Sequence, residues 1–134
     1  MRTLNAILIM LAAAIISTPA QTTKTWEGYL ADQMCGSNWK GTKGEERAKK
    51  HSRACGLEES CAASGYGVFT NGVFVKFTDA SSPKAKAYLE SITAKNDIRV
   101  RVTGTLESDK ISVVSIETAT PRSGSKPARS KPQG

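Results

Sequence analysis

Apolar and polar residues alternate in short runs from about position 25 onward, and those runs set the elements to expect. Thr25–Ala31 reads as a first strand with Gly28 where a barrel wall bends. Tyr66–Thr70 and Val73–Phe77 flank Asn71-Gly72, a dipeptide whose two residues both accept the positive φ of a tight hairpin turn. That turn pairs Thr70 with Val73, Phe69 with Phe74, Val68 with Val75 and Tyr66 with Phe77. One hairpin face then carries Tyr66, Val68, Val75 and Phe77, the better core set, and the other carries Gly67, Phe69, Phe74 and Lys76. Ile98–Val102 alternates strictly, which predicts a half-buried strand with Arg99 and Arg101 outward. Gly104 suits a strand that bends sharply, and a turn at Glu107-Ser108-Asp109 leads into a last strand, Ile111–Ile116.

Two segments carry helical signals instead. Thr42 and Glu45 have the spacing of a capping box, Glu45/Lys49 and Glu46/Lys50 are acid-before-base pairs one turn apart, and Gly56 is placed to stop a helix in a left-handed conformation. They predict a short, mostly polar helix over Lys43–Cys55. Ser82-Pro83 opens a second helix, in which Ala85, Tyr88, Leu89 and Ile92 form one apolar stripe. The order is strand, long loop with a short helix, hairpin, helix, hairpin. It predicts a mainly β chain with α+β content: a five-stranded OB-like Greek-key barrel with a helix between strands 3 and 4. An open α+β sheet with one helix on a face is the alternative. Neither fold sets a function by itself.

The N-terminus does not belong to that domain. Met1-Arg2, an apolar run over Leu4–Ile16 broken only by Asn5, and small residues up to Ala20 have the layout of a secretory signal peptide. The run is shorter than the roughly 20 residues of a spanning helix. The expectation is a secreted or periplasmic protein running from Gln21 to Gly134, a monomer with no transmembrane segment after cleavage.

Charge changes meaning once it is mapped. The 134 residues hold 19 Lys and Arg against 12 Asp and Glu, a net charge of +7. Arg122, Lys126, Arg129 and Lys131 fall in a Pro/Ser/Gly-rich end without a single acid, so 14 bases face 12 acids over residues 21–118. The expected layout is a signal peptide at 1–20, a nearly neutral domain at 21–118 and a disordered basic tail at 119–134. Such a tail suits an anionic polymer: nucleic acid, polyphosphate or polysaccharide.

Candidate chemistry gathers in the first long loop, which holds Cys35, His51, Cys55 and Cys61, all the cysteines and the only histidine of the chain. Three thiols and an imidazole are enough for a tetrahedral site for zinc or copper, with Asp32 and Met34 as nearby extras. Export supports a competing account, a disulfide that staples the loop and contributes about 2–4 kcal/mol. A thiol-redox role is a third. Enzyme readings lack parts: there is no phosphate loop, no nucleophile elbow and no haem-attachment motif. The outer side of the hairpin offers a candidate binding face, where Phe69 and Phe74 would serve as stacking platforms beside Lys76, Arg99 and Arg101.

Gly28-Tyr29-Leu30-Ala31-Asp32-x-x-Cys35, then His51-x-x-x-Cys55 and Cys61, then Asn71-Gly72, and Val100-x-Val102-x-Gly104-Thr105-Leu106 with Val113–Ile116, form a longer pattern. It resembles a group of small exported bacterial proteins with a domain of unknown function, over residues 26–117. The resemblance implies an OB-like domain and no established activity. The combined expectation is an exported, non-enzymatic binding or structural protein whose Cys/His loop is stapled by a disulfide or binds metal.

Overall fold

β1 (Lys24–Asp32) starts exposed and ends with its last five residues buried on both faces, the mark of a strand that begins at a rim and runs through the middle of a sheet. The computed structural model describes residues 21–120, so the signal peptide expected at 1–20 and residues 121–134 of the expected tail lie outside the described residues. β1 pairs on one side with β2 (Tyr66–Thr70) and on the other with β4 (Arg99–Glu107), β2 pairs with β3 (Val73–Lys76), and β4 with β5 (Lys110–Thr118). The result is a five-stranded antiparallel sheet in the order β3-β2-β1-β4-β5.

The hairpin has the register expected from Asn71-Gly72, with φ of 49° and 79° at the two turn residues. Its core face is also as expected: Tyr66, Val68 and Phe77 are fully buried and Val75 packs against them. The sheet stays open. After Lys76 the chain leaves the ladder; Phe77 makes one parallel bridge to Ile111, and a 3-10 turn over Asp79–Ser81 carries the backbone away into α5 (Ser82–Ser91). The two edge strands therefore meet at a point rather than along a seam, and what the hydrogen bonds form is an open α+β sheet. Gly104 sits where the β4/β5 register shifts, and a Cβ there would run into the Ser112 carbonyl, so the bulge needs glycine.

Each face of the sheet has its own core. On one, α5 lays Ala85 and Leu89 onto Leu30, Val68, Val100, Val102 and Ile111, with Tyr88 and Ile92 at the margin, which is the expected apolar stripe. On the other, Tyr29, Ala31 and Phe69 are covered by Trp39 and Ala48 from the first long connection. β1 is buried on both faces because its alternate residues feed different cores.

That connection is more helical than the sequence predicts. It contains α1 (Gln33–Gly36), α2 (Gly41–Lys50), α3 (Arg53–Leu57) and α4 (Glu59–Ala63). The single helix expected over Lys43–Cys55 is broken at His51-Ser52, where His51 turns to extended backbone at ψ 130°. A neighbouring loop fixes the break: the Asp97 amide donates to the Lys49 carbonyl at 2.9 Å, and the Arg53 amide to the Lys95 carbonyl at 2.8 Å. The Thr42 cap does not form either. α2 starts at Gly41, whose amide donates to the Gly72 carbonyl of the hairpin turn at 2.9 Å, so a tertiary bond rather than a side chain sets the start. Gly56 lies inside α3 and has no positive φ.

Candidate metal centre

Asp32, the last residue of β1, is fully buried and divides its two oxygens between two tasks. Oδ1 accepts the Cys35 amide at 2.9 Å and so caps α1, while Oδ2 lies 2.8 Å from His51 Nε2. Ser52 repeats the first task for α3, its hydroxyl accepting the Cys55 amide at 3.0 Å. Both cysteines thus stand three residues after a capping side chain, in the first turn of a short helix, and their backbones are held where the caps put them. Cys35 Sγ and Cys55 Sγ are 4.0 Å apart. His51 is brought in by the break after α2 and braced by Trp39, whose ring meets the imidazole edge-on at 5.4 Å.

One donor atom each from Asp32, Cys35, His51 and Cys55 lies within 4.8 Å of the others. The contacts among them do not add up to a finished hydrogen-bond network. Asp32 Oδ2 and both ring nitrogens of His51 are buried without an aligned hydrogen-bond partner, so the 2.8 Å Asp32–His51 approach is a close contact rather than a linear bond. Burial works to raise the Asp32 pKa, but His51 and the Cys35 amide outweigh it and hold the carboxyl below its ordinary value. Burial, followed by the Asp32 and Cys55 charges, pushes the Cys35 thiol up to about 12. Burial and the Asp32 charge push Cys61 up to about 11. A carboxylate and two thiols facing one point repel as anions, and a bound cation reverses that balance.

Of the residues the sequence singles out, the structure brings Cys35, His51 and Cys55 together and leaves Cys61 outside the group. Cys61, on α4, is buried, and its thiol donates to Glu58 Oε2 at 3.6 Å. Asp32 takes the fourth place. Its signal was in the chain: Asp32-x-x-Cys35 and Ser52-x-x-Cys55 share the spacing of a capping residue and the amide it caps, and either could have located α1 and α3. Met34 is exposed.

The expected stacking face on the hairpin is occupied by the protein itself. Phe69 is 3% exposed and Phe74 half-buried, and Trp39 packs edge-on against both, at 6.3 and 6.4 Å. Arg99 lies over the Tyr29 ring at 5.3 Å, Arg101 donates to Glu27 at 2.8 and 3.0 Å, and Lys76 is exposed. A cavity of ≈ 420 Å³ opens at the far end of α5, between Tyr88, Ile92, Ile98 and Thr118, away from the four donors. Among the described residues no helix is long and apolar enough to cross a membrane. The chain matches no family model, no curated protein and no solved structure.

Proposed function

We propose that this protein is a non-enzymatic metal-binding module of OB-like build, in which a zinc-class ion held by Asp32, Cys35, His51 and Cys55 fastens the first long connection to the sheet. The observation that carries the reading is the convergence of two thiols, an imidazole and a carboxylate within 4.8 Å. The sulfur spacing favours it. Two thiolates bound to one tetrahedral zinc, each about 2.3 Å from the metal, stand about 3.8 Å apart; Cys35 and Cys55 stand at 4.0 Å, far beyond the roughly 2.05 Å of a disulfide.

The donor set favours zinc over copper. A buried carboxylate and an imidazole suit a borderline ion with no redox chemistry, whereas Cu(I) prefers sulfur alone. Four protein donors also leave no open coordination position, which suits a structural site rather than a catalytic one. An OB-like relationship is supported by the strand order, by α5 between β3 and β4, and by the parallel contact that brings Phe77 to Ile111 at the two sheet edges. Export follows from the leader-like residues 1–20 and belongs to the same proposal.

Metal analysis of the purified protein tests the reading. About one zinc per chain is expected in the wild type and in Cys61→Ser, and little in Cys35→Ser, Cys55→Ser or Asp32→Ala. Full zinc content in Cys35→Ser and Cys55→Ser, or loss confined to Cys61→Ser, would overturn it.

A further inference from the structure

The same two sulfurs that would hold the ion are also the best-placed pair of thiols for bonding to each other. Cys35 and Cys55 are both partly exposed, whereas Cys61, although within hydrogen-bonding reach of Cys55, is 4% exposed and donates to Glu58. Their 4.0 Å separation leaves about 2 Å to close, a distance within the reach of side-chain torsions. The two cysteines sit in separate short helices with their backbones held by the Asp32 and Ser52 caps, so the closing movement falls to rotation of the two side chains.

We infer that Cys35 and Cys55 form a reversible disulfide in the presence of a peroxide, and that this modification expels the metal ion. The inference rests on the metal-centre reading above. In the first step one sulfur, held as a thiolate by the ion although its thiol is protonated in the metal-free protein, attacks a peroxide oxygen, the O–O bond breaks, and the sulfur becomes a sulfenic acid as hydroxide leaves. In the second, the other thiolate attacks that sulfur, the S–S bond forms and a second hydroxide departs. Two electrons pass from the sulfur pair to hydrogen peroxide, and with two protons the product is two waters. A disulfide sulfur carries no negative charge, and two sulfurs at bonding distance cannot span a tetrahedral edge, so the disulfide and the ion exclude each other. An external dithiol reverses the reaction by exchange and restores the site.

The experiment uses purified full-length protein loaded with zinc and treated with one equivalent of hydrogen peroxide. Three readouts are taken together: thiols titrated after denaturation, zinc captured by a chromophoric chelator, and peptide mapping of the cross-link. The expected result is a fall from three thiols to one, matched by release of the bound zinc, with Cys35 linked to Cys55. Cys61→Ser should behave identically, starting from two thiols. Dithiothreitol plus zinc should restore the starting state. A Cys55–Cys61 link, over-oxidation without a cross-link, or a Cys35–Cys55 disulfide formed while zinc stays bound would each overturn the inference and leave the metal reading standing. Absence of bound zinc before any oxidant is added would remove both, so the two failures are told apart by the first measurement.

Discussion

Asp32 joins local structure to chemistry because one side chain does both jobs: Oδ1 caps α1 and Oδ2 faces His51. The two roles can be separated. Asparagine caps a helix about as well as aspartate, so Asp32→Asn should keep α1 while removing the charge that a cation needs; Asp32→Ala loses the cap as well, at about 1 kcal/mol. Zinc affinity measured by chelator competition is expected to fall in Asp32→Asn by more than the roughly 10- to 100-fold that loss of an outer-shell partner costs, with the urea midpoint of the metal-free protein little changed. Wild-type affinity would remove Asp32 from the ligand set. Tyr66 supplies a second test. Its buried hydroxyl donates to the Gly56 carbonyl at 2.7 Å, tying the core face of the sheet to α3. Burial first, then the Asp32 charge, pushes its pKa from 10.0 to about 12. The folded state favours the protonated phenol, so its contribution is complete below pH 10 and is lost as pH rises toward 12. Tyr66→Phe should cost roughly 1–3 kcal/mol at pH 8, because the Gly56 carbonyl loses its buried donor. It should also flatten the loss of stability over the alkaline range, as read from urea midpoints at successive pH values.

Elements whose signal is local were legible in the sequence, and those set by distant contacts were not. The Asn71-Gly72 turn needs nothing beyond its two residues, and α5 needs only Pro83 and its own apolar stripe. The region from Gln33 to Ala63 is different. α1, α3 and α4 have only four or five residues, too few to show a period, and α2 ends where the loop carrying Lys95 and Asp97 meets it. The sequence places His51 within a short, mostly polar helix; in the fold it is 9% exposed, between Trp39 and Asp32. Likewise the pattern identifies two hairpin faces but not that Trp39 covers the second, which only the return of the connection decides. Replacing Asn71-Gly72 with Ala-Ala should destabilise the fold by about 1–3 kcal/mol, since both positions require positive φ. Because Gly72 also accepts the Gly41 amide, the loss should extend to the first turn of α2, seen as faster amide exchange at residues 41–45. An unchanged urea midpoint at constant slope would mean that the turn carries no such constraint.

Across the whole molecule, the two cores differ in how much holds them. The core under α5 joins eleven buried residues drawn from β1, β2, β4, β5, α5 and the residues beside them, and carries the sheet. The core under Trp39 has five, and the connection that forms it carries Cys35, His51 and Cys55, three of the four candidate ligands. Ala119 belongs with the sheet: it is buried, and its amide donates to the Arg99 carbonyl at 3.1 Å. A domain built this way should open in two stages, since regions with less buried apolar contact unfold at lower free energy than the global transition. Metal removal should therefore act locally. With a strong chelator, amide exchange is expected to rise across residues 33–63, most of all at Cys35 and Cys55, while the interior amides of β1, β4 and α5 keep their protection. Trp39, released from His51 and Phe69, should report the same event as a change in fluorescence below the temperature at which the sheet melts. Restored zinc should reverse both signals. If instead the chelator unfolds sheet and connection together, the ion supports the whole domain and the two cores form one cooperative unit; if it changes neither signal, the four side chains hold the connection without a metal.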